Sequence, residues 1–185
     1  MPQFHLIPFP TNYPDSEQSS SIDLNIDGQI ERNQSTITIH YEVSGDLSKV
    51  LWPTFIAHYQ RKDGLWKHTC FELFILPANN SEYYEYNFSP SGNWNAYIFD
   101  DYRKGQQDLP LDKIEIELER EGEDKIILNS SIPLIDAVQP ATFKVGISAV
   151  IEDQQHQHHY YALSHIGERP DFHIHESFTL ALDDS

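Results

Sequence analysis

The stretch WKHTCFELFI (66–75), followed by YYEYNFSPSGNWNAYIFDDYR (83–103), decides the fold. It reads as three consecutive strands. Side chains alternate between the faces of a strand, so Cys70, Glu72 and Phe74 share one face and Phe71, Leu73 and Ile75 the other. In the next strand Glu85, Asn87 and Ser89 lie opposite Tyr84, Tyr86 and Phe88. A charged group on a largely apolar face is costly unless it is paired or hydrogen-bonded. Polar side chains on a face that ought to be core therefore mark a candidate binding face.

The same alternation runs outward in both directions. SIDLNID alternates Ile22, Leu24 and Ile26, and a turn is expected at Asp27-Gly28 before Ile30. STITIHYEV alternates Ile37, Ile39, Tyr41 and Val43 and stops at Ser44-Gly45-Asp46. KIEIELER leads through Glu121-Gly122-Glu123 into KIILNSS. FKVGISAVIED and HYYALSH flank the loop QQHQ, and SFTLAL closes the fold. Short alternating strands separated by turn signals every 8–12 residues or so indicate a sandwich or barrel. The expectation is all-β: an antiparallel, jelly-roll-like β-sandwich of at least eight strands with minimal helix. Helical periodicity is confined to PLIDAVQP (133–140), bounded by Pro133 and Pro140. Asn12–Ser21, rich in Ser and Pro, reads as a loose connection. No repeat, linker or break in composition divides the chain, so residues 1–185 are expected to form a single domain.

With 12 basic and 29 acidic residues the net charge is −17, and such a surface repels phosphate backbones and anionic lipid. No nucleic-acid or membrane partner is expected, and no apolar run approaches the ~18 residues of a spanning helix. MPQFHLIPFP lacks the basic and apolar regions of a signal peptide, and Cys70, the single cysteine, suits a reducing compartment. A cytoplasmic location is the expectation.

Five segments carry a family resemblance: SGDLSKVLWP (44–53), LWKHTCFELFI (65–75), YEYNFSPSGNWNAYIFDDYR (84–103), YYALSH (160–165) and RPDFH (169–173). On these the chain resembles the DOMON-like domain family, a relative of the family-9 carbohydrate-binding module. The resemblance implies a β-sandwich with an exposed or concave ligand face, and ligands that are sugars or, in some branches, haem. In the sugar-binding modules a tryptophan precedes the Glu-bearing strand by a short loop, and the two hold the sugar together. Trp66 and Glu72 match that pattern. The second stacking aromatic has Trp94, Phe172 and Tyr161 as candidates, and Asp171 and His173 match the family's RPDFH motif.

The chemistry is sound on its own terms. A pyranose packs its C–H face on an indole and offers its hydroxyls to charged acceptors and amides. Glu72, Glu85, Asn87 and Arg103 supply such groups, and the expected ligand site is Trp66, Glu72, Glu85, Asn87, Trp94, Arg103, Asp171 and His173. Each has a purely structural alternative. Trp66 can cap a sandwich edge, and Glu72 can pair with Arg103 or His68. Trp94 lies on the face of Ala96 and Ile98, which favours core. Ser89-Pro90-Ser91-Gly92 is first a turn, and His173 can fasten a loop to the sheet. HQHH (156–159) resembles a metal cluster, but a hairpin tip without supporting partners seldom forms a built site. Neither zinc nor any cofactor is expected.

Three function classes follow. The favoured one is a non-catalytic module for a sugar-like small molecule, and the same face would also suit a protein partner. A haem or redox module is disfavoured, because the one Met is residue 1 and no His pair has a supporting spacing. A weak glycoside hydrolase would use Glu72 and Glu85 as paired carboxylates, but the chain carries no nucleophile elbow, P-loop, dinucleotide fingerprint or HExxH motif.

Overall fold

The computed structural model of the protein describes residues 1–10, 22–56, 59–134 and 142–183. The expected connection Asn12–Ser21 and most of the PLIDAVQP segment lie outside these residues. Period-two alternation becomes strand throughout: β1 (Gln3–Pro8), β2 (Leu24–Asn33), β3 (Thr36–Gly45), β4 (Cys70–Pro77), β5 (Tyr83–Phe88), β6 (Trp94–Phe99), β7 (Gln107–Asp108), β8 (Glu115–Glu121), β9 (Lys125–Pro133), β10 (Thr142–Glu152), β11 (His158–Ala162) and β12 (Leu180–Asp183). These strands pair antiparallel. Helix among the described residues is limited to short 3-10 turns such as Leu65–Lys67 and His175–Ser177. None is long and apolar enough to cross a membrane.

The strands curl into two layers, β8-β9-β3-β2-β1 and β7-β6-β5-β4-β10-β11, with β12 alongside the first part of β10. β1 belongs to both: Gln3–Leu6 pair with β2, while Ile7 and Pro8 pair with β11. Between the layers Ile26, Ile37, Ile39, Tyr41 and Val43 meet Phe71, Leu73, Tyr84, Tyr86, Phe88, Val145 and Ile147. Fully burying each such side chain is worth roughly 1.5–3 kcal/mol, and this burial drives the sandwich together. Tyr41 reaches across the interface to donate its hydroxyl to the Glu72 carbonyl oxygen at 3.0 Å.

The expected turn at Asp27-Gly28 does not form, because β2 runs straight through it. Gly28 pairs with Phe4 on one side and Tyr41 on the other. A Cβ there would lie 2.1 Å from the His40 carbonyl oxygen and 2.4 Å from the Phe4 ring. Glycine at this position answers close packing rather than chain reversal, and the chain turns instead between Asn33 and Thr36.

Candidate functional site

The outer face of the second layer carries a different chemistry from the core face. Adjacent strands place Ser148, Glu72, Asn87 and Asn95 opposite one another in one row. The next row is Gly146, Phe74, Glu85 and Tyr97. This face is nevertheless buried: Glu72 is 3%, Glu85 5% and Asn87 0% exposed. Loops distant in sequence cover it, and Phe74, Tyr83, Tyr97, Phe99 and Phe178 form a second, smaller apolar cluster there with Phe172 against it.

Within this cover a cavity of about 340 Å³ remains open. Its walls include Trp66, Glu72, Glu85, Arg103 and His173, five of the residues expected from sequence. Phe99, Gln106, Val150, Tyr160, Pro170 and Phe172 complete it. Trp66 is 40% exposed at the rim, with Tyr97 edge-on at 6.3 Å. The turn that carries it is tied to the β10–β11 hairpin, where His68 Nδ1 lies 2.7 Å from Glu152 and His158 Nε2 is 3.0 Å from the Lys67 carbonyl oxygen. Asn87 does not line the cavity; it is fully buried and donates Nδ2–H to Glu85 Oε1 at 2.7 Å. Glu72 accepts from the Ser148 hydroxyl at 3.1 Å.

The partners expected for Glu72 are engaged elsewhere. Arg103 donates to Asp171 at 2.8 Å, and His68 serves Glu152. Asp171 thus supports the site through Arg103, and it also accepts from the His173 backbone N–H at 3.0 Å. His173 shares a hydrogen bond with the Tyr83 hydroxyl at 2.7 Å. Burial, with the Arg103 charge second, pushes its imidazole down to about 4. The ring is neutral at neutral pH, so its 3.7 Å approach to Glu85 is not an ion pair. Both glutamates are held well above the usual carboxylate range. Burial is the main cause for each, reinforced at Glu72 by the charge of Glu85.

Trp94 does not join this group. It packs in the core on the opposite face of β6, with the Arg61 guanidinium 4.5 Å from its ring. Alternation requires this, because Asn95 and Tyr97 take the outward positions. The same rule corrects Tyr161, which is buried in the sandwich and donates to the Ile22 carbonyl oxygen at 3.3 Å. Its neighbour Tyr160 faces the cavity instead, edge-on to Phe172 at 6.0 Å. Val150 and Tyr160 were findable in principle, since Val150 pairs with both Cys70 and Tyr160 and therefore shares the face of Glu72. Gln106 and Pro170 sit in irregular segments with no periodic signal.

The HQHH hairpin is also better supported than its sequence implies. Glu152 bonds His156 Nδ1 at 2.6 Å besides His68, and Asp153 bonds His159 Nε2 at 3.0 Å. Burial alone would raise the Glu152 carboxyl, but these hydrogen bonds outweigh it and hold the group below its usual range. The histidines act as loop fasteners, and among the described residues no group of three or more His, Cys, Asp and Glu side chains is arranged to hold a metal ion.

No family model and no curated protein sequence matches the chain. Solved structures do. A protein from Bacteroides uniformis, provisionally assigned to carbohydrate binding, superposes with a TM-score of 0.72 at 19% identity, covering 100% of this chain and 86% of that one. A family-9 carbohydrate-binding module from Caldicellulosiruptor kristjanssonii, solved with glucose, gives a TM-score of 0.55 at 8% identity, covering 90% of this chain and 80% of the module. At such identities the likeness establishes a shared β-sandwich fold. The chain therefore has the antiparallel β-sandwich fold that these two proteins share.

Proposed function

We propose that residues 1–185 form one non-catalytic module that binds a small carbohydrate, or a similarly polar ring, in this cavity. The observation that carries the reading is Trp66, an indole 40% exposed at the mouth of a cavity lined by Glu72 and Glu85, with Asn87 bonded to Glu85. Trp66 is the stacking platform, Glu72 the principal hydroxyl acceptor, and Glu85 and Arg103 secondary polar contacts. Phe172 and Tyr160 supply the second aromatic wall. The glucose bound by the structurally similar module supports this assignment, as do the motifs that resemble the DOMON-like family. A volume of about 340 Å³ falls within the roughly 300–1,000 Å³ of ligand pockets.

A hydrolase would need its two carboxyls driven apart, one protonated acid and one ionised partner. Here burial raises both carboxyls, and it is the exposed indole of Trp66 beside them that favours binding.

Calorimetric titration with mono- and disaccharides tests the proposal. Dissociation constants of roughly micromolar to millimolar are expected, since a monosaccharide has few atoms and loses good water. Trp66→Ala should abolish the binding heat, and Glu72→Gln should weaken it several-fold. Equal affinity in wild type and both variants would rule this face out.

A further inference from the structure

We propose that the cavity selects a cationic amino sugar over its neutral and anionic counterparts, with the ammonium group against Glu72 and Glu85; this rests on the sugar-binding reading above. Two glutamates, each less than a tenth exposed, share one small cavity. Their hydrogen-bond donors are the neutral Ser148 hydroxyl and Asn87 amide, and each donates to only one carboxyl oxygen. Glu72 Oε1 and Glu85 Oε2 receive no hydrogen bond from the described residues.

Among the described groups that face the pair, Arg103 alone is positively charged. Cys70 on β4, Tyr83 and Tyr97 on β5 and β6, and Tyr160 on β11 have their acidities suppressed, burial being the leading cause for each, and stay protonated. His173 is neutral. Among the described residues Arg103 is the one cation on the cavity wall, and its guanidinium is bonded to Asp171, which also takes the Tyr102 hydroxyl. The Arg103 charge reaches both carboxyls, but among the described residues no cation hydrogen-bonds either one, and Asp171 offsets the charge that Arg103 presents to an anionic sugar. The chain's net charge of −17 biases the approach of ligands the same way.

An ammonium group supplies what is missing. It carries three N–H donors and no acceptor, and it makes charge-assisted hydrogen bonds to the open oxygens. Ionising a buried glutamate to receive it releases that glutamate's proton to solvent, so binding of the amino sugar expels protons while binding of the neutral sugar does not.

Titration of the full chain with glucose, glucosamine and glucuronate, which share one ring and differ in one substituent, tests this slightly below neutral pH. Glucosamine is expected to bind about tenfold tighter than glucose, and glucuronate about tenfold more weakly. Repeating the glucosamine titration in buffers of different ionisation heat should report proton release. Glu72→Gln and Glu85→Gln should each bring the glucosamine-to-glucose ratio to within about threefold of one. The ranking of the three sugars on the unaltered chain decides the matter even if neither variant folds. Glucose binding that depends on Trp66, with glucosamine no tighter, overturns the amino-sugar selectivity and leaves the sugar-binding reading standing. No binding of any of the three overturns both.

Discussion

Glu72 and Glu85 stand diagonally across β4 and β5, since Glu72 pairs with Asn87 and Glu85 with Phe74. An ordinary Glu titrates near ~4.3 when exposed, and burial holds both groups well above that in the fold. Between the unfolded value and the raised one, the native state keeps a proton that the unfolded chain has released. Stability therefore falls as pH rises through that window. His173 works in the opposite sense: about 4 in the fold against ~6.5 unfolded, it adds stability as pH climbs between the two. The opposing slopes partly cancel below ~6.5; above it the carboxyls act, joined in the alkaline range by the suppressed Cys70 thiol and buried tyrosines. The melting temperature is thus expected to decline from about pH 6.5 into the alkaline range. Glu72→Gln should flatten that decline and raise the melting temperature near pH 8 by about 2–6 °C, even as it weakens ligand. Scanning calorimetry across pH checks this, and an identical slope in the variant would contradict it. Trp66→Ala should cost little stability, within about 2 °C, because its ring is already half in solvent.

At the scale of strands, alternation over residues 70–99 was enough to put Glu72, Glu85 and Asn87 on one face. It could not show why all but one residue of β4 is buried. The reason lies far along the chain. Ser148, which bonds Glu72, is 76 residues away, and the Phe172–Phe178 segment folds back over the face. Pairing register and loop closure decide such contacts, and one strand's periodicity reports neither. Gly28 misled for a related reason, since a turn glycine and a packing glycine are the same letter. Two substitutions separate these roles. In Gly146→Ala the new Cβ would lie 2.5 Å from the Phe178 ring, under the cover of the cavity. It should cost about 1–3 kcal/mol and also weaken ligand by shifting the Phe172–His173 wall. Gly28→Ala, with its Cβ against the His40 backbone oxygen in the other layer, should lower the melting temperature at least as much with ligand affinity unchanged. Thermal melts paired with titrations read both. Equal effects on affinity would mean that the covering segment does not shape the site.

Across the whole molecule the sandwich was legible, because its strands repeat a period of two with turns between them. How the layers join was not, because β1 is six residues long and its register with two different partners leaves no mark on its own pattern. Among the described strands β1 is the one that links the layers through hydrogen bonds on both sides. Its inward side chains Phe4 and Leu6 are buried, Leu6 to 1% exposure, and Phe4 meets Tyr41 edge-on at 5.5 Å. Tyr41 in turn bonds the Glu72 backbone. Leu6→Ala should therefore destabilise the whole sandwich, by about 2–4 kcal/mol for a buried leucine truncation, or roughly 5–15 °C in melting temperature. Well below that melting point the cavity should be intact, because its walls come from β4, β5, β6, β10, β11 and the covering loops rather than from β1. Calorimetric unfolding should then show one shifted transition, with sugar affinity within about twofold of wild type at low temperature. A variant that melts normally but no longer binds would show that β1 acts on the site rather than on the joint between layers.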